Sequence, residues 1–143
     1  LKEVVTNTLK VLSQQIESKD ISIQVDIPEN AIINYNPSYL ESIFYNLVSN
    51  AIRYSSTDRK SIVTISLFTD GENKILQIAD NGIGIDLERN GNKIFGMYKT
   101  FTNNKDSKGI GLFITKNQIE AMDGQIIVES VLDQGTTFKI VIR

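Results

Sequence analysis

The stretch KSIVTISLFTDGENKILQIADNGIGI, Lys60 to Ile85, carries the pattern that decides the fold. Two runs of alternating apolar and polar residues flank the polar segment TDGEN, which predicts two antiparallel strands joined by a turn. The second run ends at Asp80 and leads directly into Gly82 and Gly84. Glycine lets a ligand approach the main chain closely, so this loop is either a tight turn or part of a binding site. Taken alone, the turn is the commoner interpretation.

The segments before this hairpin predict two helices and a strand. Apolar residues recur at three- and four-residue steps over 1–16, which is typical of an amphipathic helix. ISIQVDI, 21–27, alternates as a half-buried strand does, and AIIN, 31–34, could form a short second strand. A longer helix begins at Asn36 or Pro37 and ends near Ser55.

The segments after the hairpin add a long loop, a helix and a second hairpin. Residues 81–108 lack regular periodicity, and a loop this long in a compact domain is usually functional or disordered. GIGLFITKNQIEAMDG, 109–124, predicts a helix opened by glycines and ended by Gly124 at the C′ position. QIIVESVL and TTFKIVIR predict the last two strands. Together the elements predict an α+β fold, a two-layer α/β sandwich in which a mixed, mostly antiparallel sheet is packed on one face by about three helices.

The composition limits the chemistry and the partners of the chain. Its 143 residues suit one domain, 1–143, and a net charge of −2 gives no electrostatic reason to expect nucleic acid as a partner. No apolar run approaches the ~20 residues of a spanning helix, so we expect no direct membrane contact. Without His or Cys, imidazole catalysis and thiolate metal sites are excluded, and a metal would need oxygen ligands, as Mg²⁺ does. Because the chain begins at Leu1 in mid-pattern, we expect a piece of a longer protein.

Three polar side chains share one stripe of the helix that ends near Ser55. At about 100° per residue, Asn46, Asn50 and Arg53 fall together beside the apolar face. Two carboxamides and a guanidinium could hold a hydrated Mg²⁺ and pair with phosphate. For the stripe alone, a solvated helix edge is an equally good interpretation.

Two glycine-containing segments could complete a nucleotide site. A carboxylate at Asp80 can accept a hydrogen bond from an exocyclic amine such as that of adenine. Gly109-Ile110-Gly111 opens a helix just after Lys105 and Lys108, and free N–H groups at a helix start favour an anion. A flexible glycine hinge with solvated lysines is the alternative for this second segment. Combined with the polar stripe, these segments supply the metal, phosphate and base-reading parts of a nucleotide site.

The ordered set of motifs resembles the catalytic, ATP-binding domain of sensor histidine kinases, within the gyrase/Hsp90/histidine kinase/MutL ATPase superfamily. YNLVSNAIRYS is similar to the N-box of that family, DNGIGI and GIGLFI to its two glycine boxes, IFGMYKTF to its F-box, and DQGTTFKIVI to its terminal hairpin. The likeness covers almost the whole chain. It implies a Bergerat-type ATP-binding fold with a long ATP lid over roughly 84–108, and ATP with Mg²⁺ as the bound ligand.

On the phosphate side, the resemblance implies a role for each matching residue. Asn50 would be the main Mg²⁺ ligand, with Asn46 assisting at the metal or the phosphates, and these two would be the catalytic residues. Arg53 would meet phosphate. In the F-box, Gly96-Met97 and Lys99 stand where the family carries Pro and often Arg, which leaves open the cation that touches the γ-phosphate.

On the base side, Asp80 would accept from the adenine amine, while Gly82 and Gly84 would make room for the base and Tyr54 would lie over the base or sugar. The further implied nucleotide contacts are Ile85, Lys105, Lys108, Gly109, Ile110, Gly111, Leu112 and Thr137, or its neighbour Thr136 near Asp80.

The resemblance implies a protein-histidine kinase of a two-component system. The domain would bind Mg-ATP and donate the γ-phosphoryl group to a histidine on a separate dimerisation and phosphoacceptor domain of the same parent protein, which would then serve a cognate response regulator. We expect a cytoplasmic domain, monomeric by itself, in a homodimeric parent, and the sequence leaves open whether that parent is membrane-anchored.

Three alternatives remain open at the level of sequence. The chain could be a degenerate nucleotide-binding module that docks partners without phosphotransfer, or a serine kinase of the same superfamily. It could also be an ATPase of the gyrase or Hsp90 kind, but those relatives place a Glu base one helical turn before the metal-binding Asn, where this chain has Asn46.

Overall fold

The computed structural model describes residues 1–86 and 111–142, and the elements below refer to that part of the chain. Its helices are α1 (Lys2–Val11), α2 (Ser13–Ser18), α3 (Pro37–Arg53) and α4 (Gly111–Ala121). Its strands are β1 (Ser22–Asp26), β2 (Ile62–Asp70), β3 (Asn73–Asp80), β4 (Gln125–Val131) and β5 (Gly135–Ile142). None of these four helices has the length and apolar character needed to cross a bilayer.

The five strands form one sheet in the order β1-β2-β3-β5-β4. β1 pairs with β2 in parallel, and every other neighbouring pair is antiparallel. Both predicted hairpins, β2–β3 and β4–β5, are therefore confirmed, as is the mixed, mostly antiparallel sheet. The pairing of β3 with β5 sets Asp80 opposite Thr136, which brings the start of the glycine loop to the last hairpin.

The core lies between the sheet and the helices. The apolar stripe predicted for α3 is fully buried, and it faces inward-pointing strand residues that include Ile65, Leu76, Ile78 and Ile140. The helices α1 and α4 lie on either side of α3 and contribute Val5, Leu112 and Ile119 to the same cluster. This arrangement confirms a two-layer α+β fold and leaves the polar stripe of α3 half-buried beside the apolar face.

The start of α3 follows directly from its sequence. The Asn36 side-chain oxygen accepts hydrogen bonds from the backbone N–H groups of Ser38, at 2.9 Å, and Tyr39, at 3.3 Å. Pro37 occupies the first helical position, where a missing N–H carries no penalty. At the other end, Lys19 donates to the carbonyl of Ile52 at 3.1 Å, so both termini of this helix have side-chain partners.

Two of the predicted elements differ in the structure. The expected helix over 1–16 is interrupted at Leu12, which leaves the helical backbone region (φ −94°, ψ 6°) and separates α1 from α2. The segment 31–34 is not a strand: the N–H of Ala31 bonds back to Pro28, and the carbonyl of Ile32 accepts from the Lys74 side chain. Its backbone groups are thus satisfied by a turn and a side chain instead of a neighbouring strand.

The end of α4 also differs from the expectation that Gly124 occupies C′. Asp123 has the left-handed conformation (φ 59°), and its N–H bonds to Glu120 while the N–H of Gly124 bonds to Ile119, as in a Schellman motif. Gly124 therefore follows the C′ residue. A side chain at Gly124 would collide with the Tyr35 hydroxyl, so close packing explains this glycine.

Candidate functional site

Asp80 lies at the end of β3 with its carboxylate in a largely buried position. Its Oδ1 accepts a hydrogen bond from the backbone N–H of Gly82 at 2.9 Å, and the N–H of Thr136 also bonds to the carboxylate. Burial raises the pKa of Asp80 to about 6, because the desolvation of the charged form outweighs these two hydrogen bonds. A half-desolvated acid at the mouth of a loop is the kind of acceptor that a specific ligand donor can exploit.

Thr136 lies beside Asp80, whereas Thr137 does not. Successive residues of a strand point to opposite faces, so Thr136 and Phe138 face the cleft and Thr137 pairs with Ala79 on the other side of the sheet. The Thr136 hydroxyl shares a 2.8 Å hydrogen bond with Ser130. The structure therefore brings Thr136, rather than Thr137, to the site.

The glycine loop after Asp80 packs directly against neighbouring backbone. Gly84 has a φ of +75°, and a side chain there would collide with the carbonyl of Val131. Gly135 has a φ of +138°, and a side chain there would collide with the carbonyl of Asp80. Gly82 is enclosed in the same way, by the carbonyl of Tyr54. These glycines allow the loop, the end of α3 and the β4–β5 hairpin to meet at one point.

The polar stripe of α3 borders this junction. The Asn46 amide donates to the carbonyl of Gly111 at 3.4 Å and to the Thr115 hydroxyl at 3.2 Å, which ties α3 to the start of α4. The Asn50 side-chain oxygen accepts from the Arg53 guanidinium at 3.4 Å. Both carboxamides and the guanidinium therefore lie along one side of the helix, as the helical spacing predicted.

A narrow cleft opens between these elements. Its free volume is about 10 Å³, room for about one water molecule. The residues that line it are Asn50, Ala51, Tyr54, Asp80, Gly84, Ile85, Thr136 and Phe138. A flat heterocycle with one exocyclic amine could use the Asp80 acceptor at this position, provided that the cleft widens to admit it.

Most of the predicted site residues within the described chain converge here. Asn50, Tyr54, Asp80, Gly84 and Ile85 line the cleft, while Gly82 holds the Asp80 carboxylate. The structure sets Asn46 against Gly111 at the rim and buries Leu112 in the core below it. Lys105, Lys108, Gly109, Ile110 and the F-box segment 94–101 lie outside the described residues.

Several residues of the site carry no motif that would single them out in the sequence. The Ser130 hydroxyl accepts from the N–H of Ile85 at 2.7 Å and donates to the carbonyl of Gly135, which joins the glycine loop to the last hairpin. Thr115, fully buried, accepts from Asn46. The strand register places Ser130 opposite Thr136, but no sequence pattern relates Ser130 to Ile85.

Comparison with known proteins places this geometry in a family. Residues 35–143 match the family described as histidine kinase-, DNA gyrase B-, and HSP90-like ATPase. The heme sensor protein HssS of Staphylococcus saprophyticus is 32% identical over 143 residues, which is 100% of this chain and 30% of that protein. The circadian input-output histidine kinase CikA of Synechococcus elongatus is 29% identical over 147 residues, covering 98% of this chain and 19% of that protein.

A solved structure supports the same assignment. The histidine kinase AdeS of Acinetobacter baumannii superposes with a TM-score of 0.78 and 25% identity, covering 99% of this chain and 63% of that one. The chain spans less than a third of the length of the two curated relatives named above. Since the family match covers most of the chain and includes α3, the glycine loop and the last hairpin, the chain belongs to the histidine kinase-, DNA gyrase B- and HSP90-like ATPase family, as its motifs had predicted.

Proposed function

We propose that this chain binds Mg-ATP and donates the γ-phosphoryl group to a histidine on a separate domain of a two-component sensor kinase. The observation that carries the proposal is the buried Asp80 carboxylate in a cleft bordered by the polar stripe of α3. An acceptor that suits a base and polar groups that suit phosphate and metal are thereby held around one opening. Family membership makes ATP the nucleotide that this arrangement serves.

Adenine recognition rests on Asp80. With a pKa of about 6, this carboxyl is mostly ionised at pH 7 and accepts the hydrogen bond that the exocyclic amine of adenine donates. Gly82 and Gly84 let the loop that follows Asp80 pack against the backbone of Tyr54 and Val131, and Tyr54 also lines the cleft. The cleft has room for about one water molecule, so a purine enters only when the cleft widens.

Magnesium fits the donor set of the site. Within residues 1–86 and 111–142, no group of three or more acidic, His or Cys side chains could hold a metal by itself. Mg²⁺ commonly binds through one or two protein oxygens together with water and substrate phosphates, and the Asn50 amide oxygen is such a ligand. When bound, the ion neutralises charge on the phosphates. Arg53, 3.4 Å from the same amide, adds a second positive charge at the rim.

Phosphotransfer accounts for the site better than hydrolysis does. Asn46 is a carboxamide, which cannot act as a general base toward water, and its amide is held against α4 by hydrogen bonds to Gly111 and Thr115. In the transfer, the bond between the γ-phosphorus and the bridging oxygen breaks, a bond to an imidazole nitrogen forms, and ADP leaves. This chain contains no His, so another domain supplies the acceptor.

The partners follow from this chemistry and from the names of the relatives. A sensor protein and a histidine kinase among them support a parent protein that carries the acceptor histidine and serves a response regulator. On this proposal the parent is a homodimer, this domain is monomeric by itself, and it faces the cytoplasm, where ATP is available.

The test is phosphotransfer from γ-labelled ATP and Mg²⁺ to the histidine-bearing domain of the parent protein. We expect label on that domain, stable to base and labile to acid, and a loss of about 100-fold with Asn50→Ala because a metal ligand disappears. Ser42→Ala, on the same helix away from the cleft, should transfer at the wild-type rate. ATP binding without any transfer of label would contradict the proposal and favour a docking module.

A further inference from the structure

Arg59 ties the glycine loop to the last hairpin. Its Nε donates to the carbonyl of Asn81 at 2.7 Å, and its Nη2 donates to the carbonyls of Gly82 at 3.1 Å and Asp133 at 2.6 Å. The Asp133 carboxylate lies 3.4 Å from the same nitrogen. A single guanidinium thus bonds three carbonyl oxygens from two different segments of the chain.

One of these bonds controls the peptide that holds Asp80. The carbonyl of Asn81 and the N–H of Gly82 belong to one planar peptide unit, so their directions are fixed relative to each other. Arg59 bonds the carbonyl end of this unit, and the N–H end donates to Asp80 Oδ1. The orientation of the peptide, and with it the position of the carboxylate, therefore depends on both bonds.

Asn81 holds the same loop from the opposite direction. Its side-chain oxygen accepts from the N–H of Ile62 at 2.9 Å, and its side-chain nitrogen donates to the carbonyl of Lys60 at 2.8 Å. The start of β2 is thereby fixed against the loop, which keeps Arg59 next to its carbonyl partners. Only the planar fork of arginine offers several donors in a rigid arrangement; a lysine at this position has a single nitrogen.

From these contacts we infer that Arg59 is a positioning residue for adenine recognition. It acts through the Asn81–Gly82 peptide on Asp80 and touches no nucleotide itself. The inference rests on the proposed function, since it requires that Asp80 reads the adenine amine. Loss of Arg59 frees the peptide to rotate, which removes the N–H from Asp80 and misplaces the acceptor while leaving the polar stripe of α3 intact.

The experiment compares ADP with inosine diphosphate, which carries a carbonyl where adenine carries its amine. Calorimetry with this chain gives the dissociation constants of both nucleotides in the presence of Mg²⁺. In wild type, ADP should bind much more tightly than inosine diphosphate, because only the amine donates to Asp80. In Arg59→Met, the preference for ADP should fall by roughly ten-fold or more, the value of a hydrogen bond to a charged group, with the affinity for inosine diphosphate nearly unchanged.

Two further variants keep the test decisive. Lys60→Met removes the neighbouring cation, which pairs with Asp20 instead of the loop, and should keep the wild-type preference. Arg59→Lys preserves the charge, but its single nitrogen cannot take the separate positions of Nε and Nη2, so the preference for ADP should still fall roughly three-fold or more. This variant also replaces Arg59→Met if thermal unfolding shows that the latter does not fold.

The outcomes separate this inference from the proposed function. If wild type binds ADP no better than inosine diphosphate, both the adenine assignment of Asp80 and the role of Arg59 are overturned. If wild type prefers ADP and the Arg59 variants retain that preference, only the positioning role is overturned. An equal loss of affinity for both nucleotides, with the preference preserved, indicates a purely structural role and also overturns the inference.

Discussion

At the scale of single residues, the carboxylate of Asp80 is destabilised by its burial, and we propose that nucleotide binding uses this carboxylate. Burial raises its pKa to about 6, which means that the folded protein holds the charged form less well than water does. Gly82 and Thr136 offset only part of this penalty through their N–H groups. A ligand amine that donates to the carboxylate would favour the charged form, so nucleotide binding should release protons near pH 6.

This pKa sets the sign of a stability change with pH. Between about pH 4 and pH 6 the folded chain retains a proton on Asp80 that the unfolded chain has released, so stability falls as pH rises through this window and stays lower above it. The free energy of unfolding decreases by an amount on the order of 3 kcal/mol across this window.

Urea unfolding of wild type and Asp80→Asn from pH 4 to pH 7.5 measures this contribution. The difference between the two free energies of unfolding should change across the window in favour of the variant, because an amide has no proton to lose. The contributions of the other carboxyl groups to the pH dependence cancel in this difference. They include Glu29, whose pKa is lowered by its hydrogen bond to Lys2. A difference that is constant with pH would show that Asp80 titrates as an exposed acid does.

Residues of the candidate site could be predicted from the sequence only where their type and spacing indicate a binding role. Asp80, Asn50 and the glycines stand out because of their chemistry and spacing. Thr136 and Thr137 are adjacent and identical, and only the strand register decides which one faces the cleft. Ser130 and Arg59 act through backbone atoms of distant segments, and no pattern within their own segments reveals those partners.

At the scale of elements, the β4–β5 hairpin closes the site. Its turn meets the glycine loop through the N–H of Asp133, which donates to the carbonyl of Ile83 at 2.7 Å, and through the close approach of Gly135 to Asp80. The hairpins and α3 could be predicted because their periodicity and their turn and cap residues agree. The predicted strand over 31–34 was wrong because three consecutive apolar residues fit a strand pattern without a neighbouring strand to pair with.

The contact at Gly135 provides a test of this closure. Gly135→Ala places a methyl group against the carbonyl of Asp80 at a φ of +138°, and we expect a loss of about 3 kcal/mol or more in the free energy of unfolding. Gly71→Ala, in the β2–β3 turn, also has a positive φ of +64° but meets nothing within 4 Å, and should lose only about 1 kcal/mol.

Urea titration of both variants, followed by calorimetry with ADP, distinguishes the two effects. Gly135→Ala should weaken ADP binding under conditions where it remains folded, because Asp80 is displaced, whereas Gly71→Ala should bind as wild type does. Equal losses of unfolding free energy in the two variants would mean that the contact between Gly135 and the Asp80 carbonyl does not constrain the loop.

At the scale of the whole molecule, the site is assembled where three parts of the chain meet. α3 contributes the polar stripe, the segment after β3 contributes the acid and glycines, and β5 contributes Thr136 and Phe138. The order of motifs predicted this assembly, since each segment has a recognisable chemistry. The narrowness of the cleft could not be predicted, because it depends on side-chain packing between segments far apart in sequence. The predicted phosphate contacts at Lys105 and Lys108 lie outside the described residues and stay predictions.

The central claim is that the chain binds an adenine nucleotide through Asp80, and calorimetric titration of wild type and Asp80→Asn with Mg-ADP tests it most directly. We expect a single saturable site in wild type and an affinity about 100-fold weaker or unmeasurable in Asp80→Asn, because the amine loses its charged acceptor. The variant should remain folded, with a thermal midpoint at pH 7 no lower than that of wild type. Equal affinity for ADP in the two folded proteins would contradict the assignment of the cleft as an adenine site.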